Sequence, residues 1–190
     1  MDEQEPRICE LSATQLATEI RTRAVSPPEV VDVYLDRIAA EDDDLNAYIT
    51  VIEESARGAA REAEAALERG EEVGPLHGVP IALKDLRTMK AGVRHTFGSQ
   101  LFADFEADRT SVVVDRLESA GAIVLGKTNT PEFGHKGVTQ NDLVGATASP
   151  VDRSRNAGGS SGGSAAAVGA GLTALATGSD AGGSIRIPAA

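Results

Sequence analysis

The 190-residue sequence predicts an α/β fold: a mixed, largely parallel sheet flanked by helices and preceded by a helical N-terminal segment. Three observations carry this expectation. Residues 1–70 contain repeated helix start and stop signals. Two short apolar runs, Val79–Leu83 and Ala122–Leu125, have the length and β-branched content of buried strands. A helical pattern stands between the two runs, and strand–helix–strand order favours parallel pairing. Residues 1–70 are therefore expected as the helical segment and 71–190 as part of an α/β core. Gly182–Ala190 reads as a loop with no closing strand or helix after it, so together they would form a single incomplete domain, truncated at its C-terminal side.

Each element has a local reason. Ser12 followed by Gln15 reads as a capping box ahead of Leu16 and Ile20. Ser26-Pro27-Pro28-Glu29 combines an N-cap, a proline at the first helical position and an acid at N3; Val30, Tyr34 and Ile38 then mark one face. Leu45–Val51 reads as a short strand or extended link. Glu53–Arg69 is rich in alanine and charge, a helix closed by Gly70. After the loop Gly74–Gly78, the strand Val79–Leu83 carries Lys84-Asp85 at its C-terminal end. Ser111–Ala120 is expected as a helix with Val112, Val113, Leu117 and Ala120 inward, stopped at Gly121. Beyond Gly158 the chain is mostly Gly, Ser and Ala. Apolar Ala165–Val168 and Leu172–Ala176 interrupt it, and read as packed rather than as linker.

Charge and composition narrow the function. Residues 1–75 hold 19 acids against 7 bases, whereas 76–190 hold 10 against 11. The acidity therefore reads as a solvated helical surface, and a broad basic face for nucleic acid is excluded. Cys9 is the sole cysteine, so an internal disulfide is excluded. Met1–Glu5 is acidic and no apolar stretch follows it. The uncharged run Asn156–Ser179 is too rich in Gly and Ser for a membrane span. A cytoplasmic protein without a membrane partner is the expectation.

Two motifs mislead. Gly121–Thr128 satisfies the nucleotide-binding pattern GxxxxGK[ST], but Ile123-Val124-Leu125 between its glycines is strand-like, and no helix signal follows. Gly159-Ser160-Ser161-Gly162-Gly163 matches the G-x-S-x-G elbow, yet His77, His95 and His135 all precede it, in the wrong order for that chemistry. Nor do the histidines have metal-ligand spacing, so no metal is expected. What remains is a lysine after a buried strand and two glycine-framed serines. A serine hydroxyl needs a base, and a buried amine can be neutral enough to act as one. Successive N–H groups across Asp180–Ser184, free of bulky side chains, can converge on an oxyanion.

Gly78-Val79-Pro80-Ile81-Ala82-Leu83-Lys84-Asp85, Gly158-Gly159-Ser160-Ser161-Gly162-Gly163-Ser164 and Gly182-Gly183-Ser184-Ile185-Arg186-Ile187-Pro188-Ala189 closely resemble the three blocks of the amidase signature family. The resemblance runs from about Leu11 to the end and implies the amidase signature fold. It implies Ser184 as nucleophile, Ser160 as bridging serine after a cis peptide bond, and Lys84 as general base. The N–H groups of Ala181, Gly182, Gly183 and Ser184 would form the oxyanion hole, with Ser161, Asp180 and Arg186 in support. The implied reaction is hydrolysis of a small-molecule carboxamide through an acyl-enzyme, with no cofactor, no direct nucleic-acid contact and room for a homodimer. Family members are more than twice this length. The chain is thus expected to match their N-terminal portion, and to be inactive as 190 residues alone. Lys127–His135 resembles the stand-alone amidases. The A subunit of the glutamine-dependent aminoacyl-tRNA amidotransferase, the alternative, usually has Met-Asp in place of Thr130-Pro131 and Asn-Ile in place of Leu86-Arg87. An inactive or non-catalytic piece is the second alternative.

Overall fold

The computed structural model describes residues 4–190; Met1–Glu3, the start of the acidic N-terminal stretch, lie outside them. Helices α1 (Gln4–Glu10), α2 (Ala13–Arg21) and α3 (Pro27–Leu45) come first, then β1 (Tyr48–Val51), α4 (Glu53–Glu68) and β2 (Pro80–Lys84). After a long loop come α5 (Val112–Ser119), β3 (Ile123–Thr128), the small hairpin β4 (Gln140–Asn141) and β5 (Gly145–Ala146), α6 (Gly162–Gly169) and β6 (Leu175–Ala176). Both capping boxes form: Ser12 and Gln15 close on each other at the start of α2, as do Ser26 and Glu29 at the start of α3. Such a cap is worth about 1 kcal/mol.

The main sheet has the order β1-β3-β2-β6. β2 runs parallel to both β3 and β6, and β1 is antiparallel to β3. The sheet is therefore mixed and mostly parallel, with helices packed on it. Every residue of β2 and β3 is buried, which is why their first parts read as apolar runs, Val79–Leu83 and Ala122–Leu125, without the alternation of a half-exposed strand. One apolar cluster extends from Ile8 through α2, α3 and α4 to Ala166 and Leu172. A smaller one joins Ile81, Leu83, Val114, Ala122 and Val124. Among the described residues, no helix is long and apolar enough to cross a membrane.

Two local expectations need correction. In α5, Val112 is 68% and Val113 47% exposed, and Val114 is the valine that packs inward. Three consecutive valines leave the helical phase open, and the position of Ala122 and Val124 beneath α5 chooses it. Strand β3 also continues past Leu125 through Gly126-Lys127-Thr128, because parallel pairing with Ala82, Leu83 and Lys84 extends it. Gly126 can lie there only without a side chain: a Cβ would sit 2.2 Å from the Thr50 carbonyl oxygen of the neighbouring strand β1.

Candidate active site

β2 delivers Lys84 into the interior. The residue is 1% exposed, and its Nζ donates to Ser160 Oγ at 2.8 Å, Ser161 Oγ at 2.9 Å and Ser179 Oγ at 3.1 Å. Its backbone is clamped at both ends: Lys84 N–H donates to Thr177 Oγ1 at 2.8 Å, and Thr88 Oγ1 donates to the Lys84 carbonyl. Burial first, and the Arg87 guanidinium next, push the Lys84 amine down to about 8, while Asp180 works in the opposite direction.

The two middle serines stand at the start of α6, entered through a cis Gly159–Ser160 peptide bond. Glycine is required here by close approach. A Cβ on Gly163 would lie 2.4 Å from Asn129 N and 2.6 Å from the Ala47 carbonyl oxygen, so the first turn of α6 can reach β3 only with no side chain. Ser160 and Ser161 are buried, and Thr130 Oγ1 donates to the Ser160 carbonyl at 3.0 Å.

The third block curls over the pair. Asp180 organises it: Oδ1 accepts from Gly183 N–H at 2.7 Å and Oδ2 from the Ile185 and Arg186 N–H groups at 3.2 Å each. Arg186 closes the turn with a two-pronged ion pair, Nη2 to Oδ1 at 2.8 Å and Nε to Oδ2 at 3.0 Å. Arg186 first, and the Gly183 N–H next, hold the Asp180 carboxyl far below the usual carboxylate range. Gly183 takes φ +115°, open to glycine alone. Ser161 N–H donates to the Ser184 carbonyl at 3.0 Å, which ties the third block to the second.

Ser160 and Ser184 line one cleft with Leu86, Arg87, Phe133, Gly134, Ser179, Asp180 and Ala181. Lys84 and Ser160 are in hydrogen-bond contact; Ser184 shares the cleft without a hydrogen bond from its hydroxyl to Ser160. Of the four N–H groups named for an oxyanion, that of Gly183 points at Asp180, and those of Ala181, Gly182 and Ser184 meet no acceptor among the described residues. Ser179 and Thr177 are Lys84 partners that sequence reasoning missed; their only signal was position within the Gly/Ser-rich stretch.

Beneath the site lies a second buried polar group, also missed. Lys127 Nζ donates to the Thr88 carbonyl at 2.5 Å and lies 2.8 Å from His95 Nδ1 and 3.5 Å from Asp85 Oδ1. Thr96 donates to Asp85 Oδ2 through its N–H at 2.8 Å and its hydroxyl at 2.5 Å. Burial works to raise the Asp85 carboxyl, but His95, Lys127 and Thr96 outweigh it and keep it below the ordinary range. Lys127 therefore belongs to the scaffold under the Lys84 turn. Among the described residues, no cluster of three or more His, Cys, Asp or Glu is placed to hold a metal ion.

Residues 29–190 match the family described as Amidase. The chain is 47% identical to an acylamidase of Rhodococcus erythropolis over 180 residues, covering 95% of this chain and 38% of that protein. It is 48% identical to the A subunit of the glutamyl-tRNA(Gln) amidotransferase of Azoarcus sp. (strain BH72) over 178 residues, covering 94% and 36%. A bacterial aryl acylamidase of the amidase signature enzymes superimposes with a TM-score of 0.91 at 38% identity, covering 94% of this chain and 37% of its own. The chain thus spans little more than a third of the length of the relatives it matches.

Proposed function

The chain belongs to the amidase family, and from that membership and the cleft shared by Ser160 and Ser184 above the buried Lys84 we propose that the protein hydrolyses a carboxamide C–N bond through a Ser–Ser–Lys triad and an acyl-enzyme. The observation that carries the proposal is the 2.8 Å contact between the buried Lys84 Nζ and Ser160 Oγ, with Ser160 in the same cleft as Ser184. In the reaction, Ser184 Oγ attacks the carbonyl carbon. Its proton passes to Ser160, which gives its own to neutral Lys84. The oxyanion forms beside the N–H groups of Ala181, Gly182 and Ser184, while that of Gly183, engaged by Asp180, holds the loop in shape. Lys84 then returns the proton through Ser160 to the leaving nitrogen. The C–N bond breaks, ammonia or an amine departs, and water hydrolyses the Ser184 ester. Ser161 holds Lys84 in place, and Asp180 with Arg186 holds the donor loop.

The test is hydrolysis of simple carboxamides by the complete protein, together with labelling by a serine-directed fluorophosphonate. Labelling at Ser184 that is lost in Ser184→Ala supports the reading; undiminished hydrolysis in that variant refutes it. A second reading, the A subunit of a glutamine-dependent amidotransferase, is favoured by the 48% identity to such a protein. Thr130-Pro131 and Leu86-Arg87 count against it. Glutaminase activity that requires a second, partner protein would select it.

A further inference from the structure

We propose that Arg87 is a specificity-determining residue that binds a carboxylate on the substrate, so that the preferred amides carry a negative charge near the scissile bond. The proposal rests on the hydrolytic reading above.

Three observations support it. Arg87 lines the cleft that holds Ser160 and Ser184. The other charged residue of that lining, Asp180, is already engaged by Arg186 and three backbone N–H groups. Lys84, just beneath, spends its donors on three serines. Among the described residues, the Arg87 guanidinium makes neither a hydrogen bond nor an ion pair, so the cleft presents one uncommitted positive charge beside the proposed nucleophile. Its charge reaches the site interior, since it is one of the influences on the Lys84 amine.

The guanidinium also stands on a firm base. Arg87 sits at φ +69° in the turn that leaves β2. Ser111 Oγ donates to the Arg87 carbonyl at 3.1 Å, and Lys127 Nζ to the next carbonyl, that of Thr88, at 2.5 Å. Beside it, Leu86 and the half-exposed Phe133 give an apolar surface. A short apolar body lying on Leu86 and Phe133, with a carboxylate on the planar five-donor fork of Arg87, fits this combination. An amide bearing an ammonium group would be repelled.

The experiment compares kcat/KM of the complete protein on two matched pairs: hexanamide against the monoamide of adipic acid, and N-propylbutyramide against N-butyrylglycine. The first pair places the carboxylate on the acyl side and the second on the amine side. One anionic member is expected to exceed its neutral partner roughly ten- to a hundredfold, the range of a charge-assisted hydrogen bond. That ratio should shrink as salt is raised, and fall toward 1 in Arg87→Gln. Arg87→Lys should keep part of it. Arg87→Asn, which tolerates the left-handed backbone, gives the same readout should the Gln variant fold poorly. A ratio near 1 in the unmodified protein, or one that survives both Arg87→Gln and Arg87→Asn, overturns the inference while leaving amide hydrolysis intact. Hydrolysis of none of the four amides defeats the hydrolytic reading, and the inference with it.

Discussion

Lys84 is a cation whose surroundings disfavour its charge. Burial and the Arg87 guanidinium lower its amine to about 8, against the pull of Asp180. The proposed base works only when neutral. The pH dependence of kcat/KM should therefore rise with an apparent pKa near 8, well below that of an ordinary lysine. Arg87→Gln should move this rise to higher pH, because a charge that disfavours the ammonium has been removed; Asp180 and Arg87 are the charged groups facing Lys84 that the profile reports. A profile flat from pH 6 to 10 would speak against Lys84 as base. Lys84→Ala should lower amide hydrolysis by about 10³-fold or more with circular dichroism unchanged. Near-normal turnover in that variant would sink the assignment.

At the level of elements, the site depends on how closely α6 and β3 approach. A Cβ at Gly163 would collide with backbone atoms of Asn129 and Ala47, neither of which can rotate away. Gly163→Ala should therefore cost about 1–3 kcal/mol or more, seen as a lower urea midpoint, and should weaken fluorophosphonate labelling as Ser160 and Ser161 shift. An unchanged midpoint would mean that α6 can slide. The pattern Gly121–Thr128 makes the opposite kind of prediction. Its interior is strand β3, and Lys127 is wholly buried against Thr88 and His95. A phosphate loop needs exposed N–H groups and a lysine free to reach phosphate. Calorimetry should detect no saturable ATP or GTP binding; binding that disappears in Lys127→Ala would contradict a purely structural role for this lysine.

For the whole molecule, the third block is the most weakly supported part of the site. Ile185 and Ile187 are 42% and 49% exposed, and β6 forms the edge of the sheet with only two residues. Alignment of a donor loop to within about 1 Å matters roughly 10²-fold in rate. A protein consisting of residues 1–190 alone is therefore expected to label poorly at Ser184 and to hydrolyse simple amides at least about 10²-fold more slowly than the complete reading frame. Equal labelling and turnover by the two would show that these residues hold the site unaided.

Much of this molecule is written locally in the chain. The capping boxes at Ser12 and Ser26, the Gly70 stop, the buried runs of β2 and β3 and the three signature blocks are readable because each depends on residues within a few positions of one another. The tertiary structure decided what distance along the chain conceals. Lys84 meets Ser160 across 76 residues and Ser179 across 95, and only the parallel pairing of β2 with β6 brings Ser179 into reach. Packing against Ala122 and Val124, rather than helical period, selected Val114 over Val112 and Val113 as the inward residue of α5. Lys127 likewise became a buried partner of Asp85 and His95 because β3 pairs with β2 beyond Leu125. Short-range hydrogen bonding and polarity determine the elements; which side chains converge is set by sheet order and register, properties of the assembled sheet and of no single segment.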